Sequence, residues 1–348
     1  MCTWNTSTPL QSFGECYWSI HGYYSLIVCL FGVITNLINI AVLTKKSMRT
    51  PINCILTGIA IADLITMLSY IPFAIHFYLV HGLEATPAKY SYGWTIFMAV
   101  HVNLTLTTHT VSIWLGVIMA IMRYVFVRAA TPNSKKNMEN SSTIIIIVFA
   151  YIGSAVLIIP NCIVTGIHEA FSDKYNASTF RLDSLSLSQN ETNTMALLNF
   201  WVYPVFGKII PCVLISIFGG FLLHTLRESD RRGSRLKGEN HKSHSHRRTT
   251  LMLLAVIVMY IISEVPQSIL VVLCACVDGF FVDVYLPLSD LIDAVALINS
   301  AVNFVMYCTM SQQFRDSLME SLMLVIRVVG EKSKVPWSEN GITTPTFV

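Results

Sequence analysis

Seven long apolar stretches constrain the fold of this chain more than any other feature. A helix needs about 20 mostly apolar residues to cross the hydrocarbon core of a bilayer, because each residue advances only about 1.5 Å along the axis. All seven stretches meet that length, and polar segments separate them. They cover residues 23–44, 52–80, 92–127, 143–167, 197–226, 249–277 and 286–309. The pattern predicts an all-α membrane protein built as a seven-transmembrane helix bundle.

The composition agrees with a membrane protein and excludes several other classes. Of the 348 residues, 53% are hydrophobic and 12% are charged, whereas about 25% are charged in an ordinary soluble domain. A chain this apolar is neither disordered nor a water-soluble globule. The formal net charge of +3 is too small to indicate a nucleic-acid partner.

The distribution of Lys and Arg sets the predicted orientation. Eighteen of these residues lie in the segments that follow the first, third, fifth and seventh stretches, and three lie on the opposite side. Because cytoplasmic loops carry the excess of positive charge, we expect a multi-pass plasma-membrane protein with its amino terminus outside. The resulting divisions are an extracellular tail (1–22), the bundle (23–309), an amphipathic surface helix (310–327) and a cytoplasmic tail (328–348).

Three sequence signals fit this topology. Asn5, Asn176 and Asn190 begin glycosylation sequons on the predicted outer face. From residue 311, Phe314 and Leu318 recur at helical spacing between charged residues, which predicts a helix lying on the inner leaflet of the lipid bilayer. The last three residues, Thr-Phe-Val, could add as a strand to a PDZ domain.

Polar residues on four spans lie at one predicted depth. At about 1.5 Å per residue, Asn36, Asp63, Ser112 and Asn303 all stand about 14–18 Å above the cytoplasmic ends of their helices. Asn299 lies one turn above Asn303. Together these groups would form a hydrated, negatively charged pocket suited to a small hard cation such as sodium. A neutral hydrogen-bond network around a protonated Asp63 is the alternative.

A second polar group lies in the outer halves of the spans. Glu264 stands near mid-membrane, two residues before Pro266, which cannot donate to the helix ladder. The other ionisable groups of the outer halves include Asp290, Asp293, His101 and His109. Charged groups in hydrocarbon are costly unless they face the bundle interior, so each of them is a functional candidate. This set predicts an outward-facing acidic cavity that prefers a cationic ligand. The alternative pairs Glu264 with Lys208 in a buried structural ion pair.

At the inner end of the third stretch, Arg123 and Tyr124 occupy a place where a guanidinium could contact both the bundle interior and a cytosolic partner. The alternative is that Arg123 only fixes the orientation of its helix in the membrane through its positive charge.

The arrangement resembles the rhodopsin-like, or class A, G-protein-coupled receptors over residues 20–327. The matching residues are Asn36 in the first helix, Ala62-Asp63 in the second, Arg123-Tyr124 in the third, Pro211 and Pro266 in the fifth and sixth, and Asn303 with Tyr307 in the seventh. The resemblance implies activation through these residues, a heterotrimeric G protein as partner, and arrestin-type regulators.

The departures from that family are informative. Met122 replaces the acid before Arg123, Phe304 replaces the seventh-helix proline, and Glu264 stands where a tryptophan is usual. The customary cysteines at the top of helix three and in the second outer loop are absent. An acid at the inner end of helix six is also replaced, at approximately His246. Because Arg123 then lacks its usual restraints, we expect measurable ligand-independent signalling.

Several segments are similar to the myosuppressin and sex-peptide receptor group. These are Glu264-Val265-Pro266-Gln267, Ile298-Asn299-Ser300, the run from Asn303 to Ser311, and the third-helix pattern His101, His109, Ser112, Trp114, Arg123, Tyr124. The resemblance implies an amidated, FMRFamide-like neuropeptide ligand ending in Arg-Phe-amide and coupling to the inhibitory class of G protein. The candidate ligand-binding residues are Glu264, Asp293, Asp290, His101, His109, Gln267 and Lys208.

Other functions fit less well. A nematode-type chemosensory receptor for a different ligand shares the pattern and remains the main alternative. A cation-coupled transporter would need inverted repeats with broken helices, which the seven stretches do not display. An enzyme would need convergent catalytic groups, and no cofactor is expected apart from the possible allosteric sodium ion.

Overall fold

The computed structural model describes residues 8–128, 140–183, 201–235, 241–277 and 279–332. Seven of its helices are long and apolar enough to cross a membrane, which confirms the predicted bundle. The spanning helices are α1 (Pro9–Leu43), α2 (Pro51–Phe73, continued by a π-helical turn Ala74–Val80), α3 (Tyr92–Arg128), α4 (Asn140–Val164), α5 (Ile210–Arg235, preceded by a π-helical turn Tyr203–Ile209), α6 (His241–Cys276) and α7 (Leu286–Met310, preceded by a π-helical turn Phe281–Tyr285). Helix α8 (Gln312–Lys332) follows, and a short 3-10 helix, Lys46–Met48, joins α1 to α2.

The first helix begins earlier than its apolar stretch predicts. Thr8 caps α1 through a reciprocal pair of bonds, in which the Gln11 amide donates to Thr8 Oγ1 (3.4 Å) and the Thr8 amide donates to Gln11 Oε1 (3.1 Å). Pro9, at the first helical position, needs no amide partner. The predicted tail 1–22 is therefore helical from residue 9 onward, because capping rather than hydropathy sets this end.

A β-hairpin between α4 and α5 was not predicted from the apolar pattern. Strands β1 (Gly166–Ser172) and β2 (Ala177–Asp183) pair antiparallel, from Gly166 opposite Asp183 to Ser172 opposite Ala177. Asn176 closes the turn with a φ of 47°, a conformation that asparagine tolerates better than most residues. Helix α4 accordingly ends at Val164 rather than at residue 167.

Helix α3 lies at the centre of the bundle. It packs against α2, α4, α5 and α6, while α1 packs against α2 and α7. The inner half of the bundle is filled by apolar side chains such as Ile55, Leu115 and Ile257, which are fully buried. This central position places α3 beside most of the polar groups that the sequence singles out.

Helix α8 is fixed to the inner end of the bundle. Phe314 is fully buried, with its ring centroid 5.4 Å from that of Tyr307 and 6.1 Å from that of Phe304. Arg315 Nη1 donates to the last carbonyls of α7, at Cys308 (3.1 Å) and Thr309 (3.2 Å). These bonds satisfy acceptors that a helix end leaves without partners.

We predict that Phe314→Ala destabilises the folded protein by about 3–5 kcal/mol, as expected when a buried phenylalanine leaves a cavity. Thermal unfolding in detergent measures the effect. Met319→Ala is the matched control on the same helix, because Met319 is 56% exposed and its truncation leaves no cavity. An equal loss of stability in both variants would contradict the docking of α8 through Phe314.

Candidate functional site

Asp63 and its neighbours form a buried polar cluster at the predicted depth. Ser112 Oγ on α3 donates to Asp63 Oδ1 (3.2 Å), and Asn303 Nδ2 on α7 donates to Asp63 Oδ2 (3.2 Å). Asp63 is 3% exposed. The depth counted along the sequence therefore placed Asp63, Ser112 and Asn303 at one level, and the structure brings these three residues into contact.

The remaining members of the predicted sodium site lie around this contact. Asn36 Nδ2 donates to the carbonyl of Ser300 (3.3 Å), which ties α1 to α7, and Asn299 is buried on α7. Carboxylate and hydroxyl oxygens, as in Asp63 and Ser112, are the ligands that a small hard cation prefers. These oxygen atoms thus fit a sodium ion. The hydrogen bonds among the side chains also fit the alternative, a neutral network around a protonated Asp63.

Glu264 and Lys208 form an ion pair inside the bundle. Lys208 Nζ donates to Glu264 Oε2 (3.0 Å) and to Gln267 Oε1 (2.8 Å). His109 Nε2 lies 3.1 Å from Glu264 Oε1. Lys208 and Glu264 are 1% and 2% exposed in their side chains. The geometry is that of the structural ion pair, so Glu264 is not an open acid awaiting a ligand.

The two outer aspartates of α7 differ in their surroundings. Asp290 Oδ1 accepts a hydrogen bond from the Tyr78 hydroxyl (2.7 Å). Asp293 has an exposed side chain that forms no hydrogen bond and no salt bridge with any described residue. Of the three acids assigned to the outer cavity, Asp293 is therefore the one that is open to an incoming cation.

His101 contacts α2 rather than the acids. Its Nδ1 lies 3.1 Å from Ser69 Oγ, and its ring stacks on Phe73 with centroids 4.4 Å apart. Sequence reasoning missed a neighbouring group, His21, whose Nε2 lies 2.9 Å from the Tyr70 hydroxyl. The missed signal was the helical cap at Thr8, which places His21 on a spanning helix instead of in a tail.

At the inner end of the bundle, Arg123 is 9% exposed and its Nε has no hydrogen-bond partner among the described residues. Tyr124 packs near Phe221 of α5, with ring centroids 5.5 Å apart. The part of the chain with described side chains contains no acid paired with Arg123, and the side chain of His246 lies outside that part. Pro266 lies within α6, and Tyr307 is 3% exposed.

Of the predicted glycosylation sites, Asn176 is exposed at the tip of the hairpin. Asn5 and Asn190 lie outside the described residues, as do the PDZ-type terminal residues.

The seven-helix bundle, the inner helix α8 and the polar core define a G-protein-coupled receptor of the plasma membrane, which is a signalling protein rather than an enzyme. The family described as the serpentine type 7TM GPCR chemoreceptor Srw matches residues 23–325. The chain therefore belongs to that family.

Individual relatives agree with this assignment. The chain is 29% identical to the G-protein coupled receptor dmsr-1 of Caenorhabditis elegans, over 86% of this chain and 67% of that protein. It is 23% identical to the sex peptide receptor of Drosophila melanogaster, over 86% of this chain and 72% of that protein. The crystal structure of squid rhodopsin superimposes with a TM-score of 0.63 at 16% identity, covering 96% of this chain and 94% of that one. This likeness confirms the rhodopsin-like fold.

We predict that Glu264→Gln destabilises the receptor by about 3–5 kcal/mol, because it leaves the Lys208 ammonium buried without its counter-charge. The double variant Glu264→Gln with Lys208→Met should recover most of the loss, since no charge then remains buried. Melting temperatures of the three proteins in detergent test this. A double variant that is less stable than Glu264→Gln would show that the ion pair is not the source of the effect.

We also predict basal G-protein turnover above that of mock-transfected membranes. Met122→Asp, which places an acid beside Arg123 at a half-buried position, should lower this basal activity about two- to fivefold, as expected for an ion pair worth ~0.5–1 kcal/mol. Met122→Leu is the neutral control and should leave it unchanged. Nucleotide exchange in membranes measures both, and wild-type turnover equal to mock would refute the prediction.

Proposed function

We propose that this receptor recognises an amidated neuropeptide ending in Arg-Phe-amide and couples to the inhibitory class of G protein. The similarity to a sex peptide receptor supports a peptide ligand. So do the segments around Glu264 and Asn303 that resemble the myosuppressin and sex-peptide receptor group. The observation that carries the proposal is the open carboxylate of Asp293.

Asp293 is the acid best suited to bind the peptide arginine, because the other two acids of the outer cavity already have partners inside the protein. Glu264 is neutralised by Lys208, and Asp290 accepts the Tyr78 hydroxyl. An arginine guanidinium binds a free carboxylate through two parallel hydrogen bonds, which adds geometric specificity to the charge attraction. A ligand that used Glu264 instead would first have to displace Lys208 and leave that ammonium buried without a partner.

The proposed preference for a peptide with an amidated rather than a free carboxyl terminus follows from the small number of Lys and Arg residues in the bundle. The seven apolar stretches contain two Lys or Arg residues, Arg123 and Lys208. Arg123 lies at the inner end, and Lys208 is engaged by Glu264 and Gln267. A peptide with a C-terminal carboxylate would thus bring a charge for which the outer halves of the seven stretches offer no free Lys or Arg. Burying such a charge is costly.

Activation is proposed as a shift in population between two bundle arrangements. Peptide binding at Asp293 favours the arrangement in which the inner end of α6 has swung outward about the region of Pro266. That movement opens a cytoplasmic cleft beside Arg123 and Tyr124, where a G-protein alpha subunit binds. The phosphorylatable residues of the carboxyl-terminal tail are proposed contacts for arrestin-type regulators, and the terminal residues for a PDZ protein.

We further propose that the cluster around Asp63 holds an allosteric sodium ion. Asp63 and Ser112 would supply oxygen ligands, while Asn299 and Asn303 would line the same site. The support is the chemistry of these oxygens and their convergence from three helices.

A chemosensory receptor for a different ligand is the second candidate, because the matching family is described as a chemoreceptor family. The two candidates share the bundle and the coupling end and differ only in what binds near Asp293. A ligand screen therefore separates them.

We predict that amidated Arg-Phe peptides inhibit stimulated cyclic AMP in expressing cells, and that their free-acid forms are weaker. Asp293→Asn should raise the half-maximal peptide concentration at least about tenfold, since hydrogen bonds to charged groups contribute about 1.5–3 kcal/mol. Asp283→Asn is the matched control, because Asp283 is exposed in the turn before α7.

An unchanged potency in Asp293→Asn would contradict the assignment of the cationic subsite. Silence of the wild-type receptor across the whole panel, with surface expression confirmed by antibody labelling, would favour the chemosensory alternative.

A further inference from the structure

The β1–β2 hairpin must be held in place without a covalent link. Residues 55–161 and 163–211 contain no cysteine, so neither the hairpin nor helix α3 can form a disulfide. A two-stranded hairpin alone is marginally stable in water. Its persistence therefore depends on contacts with the rest of the molecule.

The inner attachment of the hairpin is at Phe180 on β2. The Phe180 amide donates to the carbonyl of Tyr90 (2.9 Å), and the Phe180 carbonyl accepts from Thr95 Oγ1 (3.3 Å). The rings of Phe180 and Tyr92 meet edge to face, with centroids 5.3 Å apart. These contacts use the edge of β2 that faces away from β1, so they add to the ladder within the hairpin.

A second attachment lies at the tip and is exposed. Lys174 Nζ lies 3.3 Å from Glu84 Oε1, and the Tyr175 hydroxyl donates to Glu84 Oε2 (3.1 Å). The hydrogen bonds from Tyr175 and Lys174 lower the pKa of Glu84. The Lys174 and Glu84 side chains are 67% and 68% exposed, and exposed pairs of this kind contribute little stability. The attachment at Phe180 must therefore hold most of the hairpin.

Lys89 fixes the backbone to which Phe180 binds. Its Nζ donates to the carbonyl of Gly82 (2.6 Å), its amide donates to Thr86 Oγ1 (3.2 Å), and its carbonyl lies 3.1 Å from His76 Nε2. The ammonium also lies 5.0 Å from the ring centroid of Trp18 on α1. Every polar group of Lys89 is thus used.

The groups around Lys89 compensate for the burial of its charge. The residue is 4% exposed, and burial lowers its pKa. The acceptor Gly82 has a φ of +61°, which an L side chain rarely adopts. The loop is therefore shaped to present a carbonyl to the ammonium, while the aromatic face of Trp18 adds a cation–π contact.

We propose that Lys89 is the positioning residue of the outer hairpin, and that it holds the carbonyl of Tyr90 where the Phe180 amide binds. The link joins α1, the end of α2, the first outer loop and β2 through polar and aromatic contacts alone. This role of Lys89 does not depend on the proposed ligand, so it can be tested on the receptor without any ligand.

Hydrogen–deuterium exchange of the purified full-length receptor in detergent, without ligand, tests the proposal. In the wild type, the hairpin residues 166–183 should stay protected, equally with and without the reductant tris(2-carboxyethyl)phosphine. In Lys89→Met, exchange of this segment should rise at least about tenfold, while residues 143–163 of α4 keep wild-type protection. Lys46→Met is the control, since Lys46 is exposed on the opposite side of the membrane.

Two further variants separate positioning from general stability. Lys89→Arg keeps a cation with donors and should retain more hairpin protection than Lys89→Met. Trp18→Leu leaves Lys89 in place but removes the ring beneath its ammonium. It should raise hairpin exchange to an intermediate level, and it remains informative if Lys89→Met does not fold.

The proposal is overturned if hairpin protection is unchanged in Lys89→Met or Trp18→Leu, or if Lys89→Arg loses as much as Lys89→Met. It is also overturned if reduction abolishes wild-type protection, or if α4 loses protection together with the hairpin.

Discussion

The absence of water in the bilayer core governs the whole arrangement. Most polar groups that enter the core find a partner inside the protein, so polar side chains often mark the places where helices meet. Asn103 Oδ1 on α3 accepts from Asn161 Nδ2 on α4 (2.8 Å), Asp63 joins α2 to α3 and α7, and Glu264 joins α6 to the turn that carries Lys208. These few polar contacts link helices that otherwise meet through apolar packing.

Features that depend only on the depth of a residue in the membrane could be predicted from the sequence. The rise of an α-helix is constant, so counting residues from the cytoplasmic ends placed Asp63, Ser112 and Asn303 at one level, and the structure joins them. The seven spans followed from length and hydropathy for the same reason. Depth along an axis is a one-dimensional property that a sequence carries directly.

Sequence reasoning was weaker where rotation about the axis decided the outcome. His101 and Glu264 lie at depths that suit an outer cavity, yet His101 faces Ser69 and Phe73 on α2, and Glu264 faces Lys208. Which partner a side chain meets depends on helix packing, which the sequence of one helix does not contain. The hairpin was missed for a related reason, because its strands depend on contacts with a distant loop.

The length of α1 has a consequence for access to the receptor. A helix of 35 residues is about 52 Å long, against about 30 Å for the hydrocarbon core, so several turns extend beyond the hydrocarbon core. These turns lean on α7, where a side chain at Gly14 would come within 2.9 Å of the Pro287 carbonyl. The outer turns of α1 thus cover one flank of the outer end of α7, so that a ligand reaches α7 less easily from the side of α1.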